Sequence, residues 1–214
     1  MKKMVAILIS GVAFSAASFA QTNVSSANVV GYNQITIPTN QIVLVATSFL
    51  NTSNTIEGLF GNLPPGSKIS IWNPTQQKYN SFVCLRDGWD TAGTNTIPRG
   101  RGVFVSLPAG VGTNIYVSGD VPQDSTSTVY KVAGLALMSY PYPADVAFTN
   151  TALAQNALPG DKISFWNNGW VGYSRDRDGW SNIPTNLQLR VGQGFFYQSA
   201  TNAAVNEVQP YTIN

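Results

Sequence analysis

The sequence predicts an all-β protein of two tandem pseudo-repeat lobes, each a small sandwich or distorted barrel of five or six mostly antiparallel strands. Three observations carry this. First, three motifs recur in the same order. Leu63 to Asn73 (LPPGSKISIWN) returns as Leu158 to Asn167 (LPGDKISFWN), and Arg86-Asp87-Gly88-Trp89 returns as Arg177-Asp178-Gly179-Trp180. Gly100-Arg101-Gly102-Val103-Phe104-Val105 then returns as Gly192-Gln193-Gly194-Phe195-Phe196-Tyr197. Offsets of 94, 91 and 92 residues are too constant for chance, and they place a hairpin three residues shorter in the second copy. Second, Lys68-Ile69-Ser70-Ile71 and Lys162-Ile163-Ser164-Phe165 alternate polar and apolar with period two, as a strand with one face on a core must. Third, short β-branched and aromatic runs are punctuated throughout by Gly, Pro, Asn and Asp.

In chain order, residues 1–20 read as a leader, 21–119 as the first lobe, 120–125 as a linker and 126–214 as the second lobe. Strands of the first lobe are expected at Gln34 to Ile37, Ile42 to Ala46, Lys68 to Ile71, Tyr79 to Leu85, Val103 to Leu107 and Asn114 to Val117. Their counterparts are Thr128 to Val132, Leu135 to Ser139, Lys162 to Phe165, Gly169 to Ser174, Phe195 to Gln198 and Ala203 to Val208. Helix is confined to short turns at Asn54 to Phe60 and Asn150 to Asn156, with Asn54 and Asn150 as candidate N-caps. The linker begins at Gly119 and runs Asp120-Val121-Pro122-Gln123-Asp124-Ser125.

The leader has the grammar of a secretory signal peptide. Lys2 and Lys3 precede an apolar run from Met4 to Phe14, and small residues end at Ser18-Phe19-Ala20, so Gln21 begins the expected mature chain. Ser10 and Gly11 interrupt the run, which is shorter than the roughly 20 residues that span a bilayer. Cleavage is therefore expected, leaving no transmembrane segment. The net charge of +2 comes wholly from Lys2 and Lys3, so the mature chain is formally neutral. Such a surface has no electrostatic attraction for nucleic acid or anionic lipid, and it lacks the repulsion that keeps copies apart.

Composition also excludes chemistry. There is no histidine, which removes the Ser-His-Asp triad, the Cys-His dyad and every His-ligated metal site. Cys84 is the single cysteine, so an intrachain disulfide is impossible, and its place in Phe82-Val83-Cys84-Leu85 suits a small buried hydrophobe. No cofactor, metal or catalytic set is expected.

Several segments together resemble a known group. These are Ser26-Ala27-Asn28-Val29-Val30-Gly31-Tyr32, the Gly-x-Gly strands, the Lys-x-x-x-Trp strands, the Gly-Trp turns and the Gly119-Asp120-Val121-Pro122-Gln123 linker. They look like a family of uncharacterised secreted two-repeat β-rich proteins of verrucomicrobia-type bacteria. The resemblance spans the mature chain; it implies secretion and a duplicated β fold, and no activity.

Arg86-Asp87-Gly88 and Arg177-Asp178-Gly179 read first as turn motifs, with Asp-Gly supplying the positive-φ positions of a tight hairpin and Trp89 and Trp180 packing back as anchors. The competing reading is a pair of sugar platforms at Trp89 and Trp180. Arg175-Asp176-Arg177-Asp178-Gly179 begins a calcium-loop pattern but lacks its terminal glutamate. Gly100-Arg101-Gly102 and Gly192-Gln193-Gly194 precede strands rather than helices, so they suit a turn or bulge better than a phosphate cradle. Trp72 with Trp166 and Phe104 with Phe196 are expected in lobe cores or between lobes. Trp170 and Tyr173 show no evident equivalents in the first copy and mark where the lobes could differ in binding. A carboxylate hydrolase would have to draw on Glu57, Asp87, Asp90, Asp176, Asp178 and Glu207, and most of these lie at turns the repeat explains.

The function expected from these residues is a secreted, non-catalytic structural or self-assembling subunit of the cell surface or extracellular space. Its partners would be further copies of itself or other surface components. Like surfaces on the two lobes invite head-to-tail contacts, and Gln21 to Ala27 or Tyr211 to Asn214 could extend a neighbour's sheet. The alternative is a carbohydrate-binding module that recognises a polysaccharide at aromatic turns in both lobes.

Overall fold

The computed structural model describes residues 29–51, 53–90, 95–167 and 169–213. The leader and the polar stretch Gln21 to Ala27 lie outside them. The first lobe contains β1 (Val30–Ile37), β2 (Ile42–Ala46), α1 (Ile56–Phe60), β3 (Lys68–Asn73), β4 (Lys78–Leu85), β5 (Gly88–Trp89), β6 (Gly102–Ser106) and β7 (Thr113–Asp120). The second contains β8 (Thr126–Lys131), β9 (Gly134–Ser139), β10 (Val146–Ala147), a 3-10 turn (Phe148–Asn150) and α2 (Ala152–Gln155). It continues with β11 (Lys162–Trp166), β12 (Trp170–Arg175), β13 (Trp180–Ser181), β14 (Gln188–Leu189), β15 (Gly194–Ser199) and β16 (Ala203–Val208).

The duplication in sequence is a duplication of topology. The first lobe has a five-stranded sheet in the order β2-β6-β3-β4-β5, and the second has β9-β15-β11-β12-β13. Each is antiparallel, and each is covered by an antiparallel two-stranded ribbon, β1-β7 or β8-β16. The lobes are open sandwiches; neither closes into the distorted barrel that was the other expectation. The additional short pair β10-β14 occurs only in the second lobe among the described residues.

Period-two alternation sorts the side chains. In the first lobe Val45, Ile69, Val103 and Val105 point at the ribbon's Ile37 and Ile115, forming one core. In the second, Met138, Ile163, Phe165, Phe195 and Tyr197 meet Val129 and Val205. Each fully buried aliphatic or aromatic side chain contributes about 1.5–3 kcal/mol, so these cores hold the lobes together.

Two local expectations are corrected. The N-caps are Thr55 and Thr151, whose hydroxyls accept from Gly58 N at 3.1 Å and Ala154 N at 3.2 Å, rather than Asn54 and Asn150. The linker is shorter than expected, because Gly119 and Asp120 continue β7 and pair with Gly31 and Val30. Pro122 O accepts from Tyr211 Oη at 2.9 Å and Gln209 Nε2 at 3.3 Å, and Asp124 pairs with Arg99, so the connection is pinned to the second lobe and to the first. Tyr211 is thereby docked within its own chain.

The sheets stay separate but face each other across a local two-fold relation. Ala46 N donates to Gly192 O at 3.0 Å, and its repeat counterpart Ser139 N donates to Gly100 O at 2.9 Å. Trp72 Nε1 donates to Leu135 O at 2.6 Å, and its counterpart Trp166 Nε1 to Ile42 O at 2.9 Å. These contacts come in reciprocal pairs, the pattern of an isologous interface, here made within one chain. Leu44, Leu137 and Phe196 are buried at its centre.

Candidate functional site

The site grows from the side of each sheet that turns away from its lobe core. On β3, Lys68, Ser70 and Trp72 share this side; β4 adds Tyr79 and Ser81, and β6 adds Phe104 and Ser106. Trp72 and Trp166 are thus in phase with the polar residues of their strands. A large ring on the polar face of an alternating strand needs a second burial partner, and here the other lobe supplies it.

The result is a group of six rings in three repeat-related pairs: Trp72 and Trp166, Tyr79 and Trp170, Phe104 and Phe196. Centroids lie 4.8 Å apart for Trp72 and Tyr79 and 5.1 Å for the equivalent Trp166 and Trp170. Phe104 lies 5.8 Å from Tyr79, and Phe196 5.2 Å from Trp170. Most of these pairs meet edge to face, the arrangement that aligns a ring's positive rim with its neighbour's negative face.

This cluster is not sealed. Trp170 is 49% exposed and Tyr79 42% exposed, and both border an open groove of about 410 Å³. Phe104, Ser70, Ser81 and Ser106 line it on the first lobe, Trp166 and Trp170 form a wall from the second, and Lys68 and Ile42 complete it. Ser70 Oγ and Ser81 Oγ are 2.9 Å apart, so one hydroxyl orients the other. Burial pushes the Tyr79 phenol above its ordinary value, so it remains a neutral donor and acceptor in water.

The expected site residues fall into two groups. Trp170 lies in the groove. Its counterpart is Tyr79, since Trp166 pairs with Trp170 as Trp72 pairs with Tyr79, and the equivalent of Tyr173 is Phe82. The expectation that these two residues have no equivalents is therefore corrected: the shorter hairpin hid the alignment. Tyr173 is three residues from Trp170 and so points to the opposite side, packed against the second core.

The Arg-Asp-Gly-Trp segments lie elsewhere. Leu85 pairs with Gly88, leaving Arg86 and Asp87 as the loop, and the equivalent loop is Arg177 and Asp178. Only the glycines take positive φ, +123° at Gly88 and +145° at Gly179; the aspartates do not, contrary to expectation. Trp89 is 8% exposed and packed in the first core. Trp180 is half-buried, 4.8 Å from Phe148 by ring centroid, with its Nε1 donating to Ala154 O at 3.2 Å. Neither indole offers an open platform, which moves any stacking role from Trp89 and Trp180 to Trp170 and Tyr79.

The Gly-x-Gly segments are joints between lobes. Gly100 and Gly192 adopt positive φ and present carbonyls to the opposite sheet, while Gly102 and Gly194 let the two backbones touch. Among the carboxylates, Glu207 is buried and accepts from Ala152 N at 2.9 Å and Leu153 N at 2.8 Å. Burial raises its pKa against those two bonds. Asp87, Asp90, Asp176, Asp178 and Glu57 are exposed, and Asp176 accepts from the Ser181 hydroxyl. Among the described residues no group of three or more metal-ligating carboxylate or thiol side chains converges.

A buried ionic network distinguishes the second lobe. Lys131 Nζ lies 3.2 Å from Asp161 Oδ2, with side chains 2% and 0% exposed. Asp161 also accepts from Tyr197 Oη at 2.7 Å, Ser199 Oγ at 3.0 Å and Leu158 N at 3.1 Å. Burial alone would raise the Asp161 pKa, but the bonds from Tyr197, Leu158 and Lys131 outweigh it and hold the carboxyl below its ordinary value. The equivalent positions in the first lobe are Ile37, Ser67 and Val105, an uncharged solution to the same packing problem. The network is enclosed and serves structure. Compared with family models, curated proteins and solved structures, the chain matches none.

Proposed function

We propose that this chain is a secreted, non-catalytic β protein that binds an oligosaccharide in the groove between its lobes. The observation that carries the reading is the exposure of Trp170 and Tyr79 at 49% and 42% beside a serine-lined floor. A pyranose has an apolar C–H face and a rim of hydroxyls. The rings offer π surface to the first, and Ser70, Ser81 and Ser106 offer donors and acceptors to the second. Grouped exposed rings on a soluble domain mark a place where something docks. The non-catalytic part rests on the missing histidine and on candidate carboxylates that are scattered over exposed turns and the short helix α1 or, for Glu207, bonded to backbone amides. Secretion rests on the grammar of residues 1–20.

A structural, self-assembling role is the second reading. It is supported by the outer faces of the ribbons, where Tyr32, Tyr116, Tyr130 and Val208 are 75%, 61%, 68% and 64% exposed. The repeat itself no longer argues for it, because the like surfaces are already joined to each other inside one chain.

Retention of the protein on insoluble polysaccharides and a glycan array test the first reading. Binding should be lost in Trp170→Ala and weakened in Tyr79→Ala, and kept in Tyr32→Ala. If nothing is retained, or Trp170→Ala binds as well as the parent, the groove is not a saccharide site. Sedimentation velocity over a wide concentration range tests assembly, which a strict monomer would exclude.

A further inference from the structure

The structure assigns an anionic oligosaccharide to this groove, one carrying uronate carboxylates or sulfate esters, with Lys68 as the residue that selects its charge; the inference rests on the saccharide reading above. Among the described residues, Lys68 is the only charged side chain lining the groove. It is exposed, and the two ion pairs found among the described residues, Arg99 with Asp124 and Lys131 with Asp161, do not involve it. Two-residue steps along a strand are about 6.6 Å, and Phe104 pairs with Ser70, one such step along β3 from Lys68. A sugar ring seated against Phe104 and Trp170 therefore directs its neighbour toward the ammonium.

The second copy supports a role for the charge. Lys162 occupies the equivalent node, although charged residues make up only 10% of the chain. Neighbouring nodes have changed between the copies, with Ser81 answered by Gly172 and Ser106 by Gln198. A lysine on its flexible stem acts as a mobile point charge, suited to anions whose position varies along a polymer.

Calorimetry on the full chain tests this with matched probes: oligogalacturonate against its methyl ester, and a sulfated galactan oligosaccharide against its desulfated form. At least one charged probe should bind about tenfold tighter than its uncharged match, as one charge-assisted hydrogen bond provides. The advantage should shrink at high salt and vanish in Lys68→Met, which should bind each charged probe no tighter than its uncharged match. Which pair shows it tells carboxylate from sulfate. Equal binding within both pairs, or an advantage that survives Lys68→Met, overturns the inference while leaving the groove reading intact, provided Trp170→Ala still abolishes binding. Failure of every saccharide to bind overturns both.

Discussion

The Cα of Gly194 lies 3.3 Å from where a Cβ on Gly102 would stand, and the Cα of Gly102 is equally 3.3 Å from a Cβ placed on Gly194. The two glycines are repeat counterparts, and neither has positive φ, so glycine is required there by the approach of two backbones rather than by torsion. Gly102→Ala and Gly194→Ala should each cost about 1–3 kcal/mol, the usual range for overpacking. The second should cost more, since Leu44 Cγ also lies 2.9 Å from its added methyl. Urea denaturation measures both, and the double variant should fall short of the sum because one separation of the sheets relieves both clashes.

The paired indole bonds predict unequal effects. Trp166→Phe removes the only side-chain donor found to Ile42 O among the described residues and should cost about 0.5–1.5 kcal/mol, since that exposed carbonyl can be hydrated. Trp72→Phe should cost less, because Gln77 Nε2 also donates to Leu135 O at 3.1 Å. Thermal melts of the two variants give the comparison.

Breaking the buried ion pair should be worse than replacing it. Lys131→Met leaves the Asp161 carboxylate uncompensated in the core and should cost about 3–5 kcal/mol. Adding Asp161→Ser and Tyr197→Phe, which approaches the uncharged solution of the first lobe, should recover most of that loss. A triple variant no more stable than Lys131→Met would show that the network does more than balance its own charges.

Acid should weaken the parent protein through Asp161 and Asp124. Both carboxyls have folded pKa values lowered from 3.8, Asp161 by the bonds that outweigh its burial and Asp124 chiefly by its bond to Arg99. A lowered folded pKa gives stability that is present above the unfolded value and lost as pH falls through the folded one. Glu207 has the opposite sign: its raised pKa means its contribution is greatest in acid and declines as pH rises past 4.5. Melting temperature should therefore drop steeply only below about pH 4, and the triple variant should show a shallower drop.

The fold was largely legible because alternation and repetition are local signals. Lys68 to Ile71 announces a strand by its own pattern, and the duplicated motifs announce the second lobe without any knowledge of contacts. The site was legible only in part. The difference between copies that draws attention to Trp170 disappears in the strand register, and the unequal hairpin displaces Tyr79 from its partner along the sequence. One available signal was phase: Trp72 and Trp166 share parity with Lys and Ser, which marks a second interface on the polar side. Trp89 and Trp180 misled because a ring beside a turn looks the same in sequence whether it points outward or folds under.

By itself the sequence determined the longer strands, the two lobes and the absence of histidine chemistry, since each follows from residue type and spacing along the chain; the two-residue strands β5, β10, β13 and β14 came only with the tertiary structure. Tertiary structure decided which rings meet, because that depends on how two sheets are placed across Gly102 and Gly194. It turned the repeat inward, joining like surfaces within one molecule, and left Trp170, Tyr79 and Lys68 around an opening that no single strand encodes.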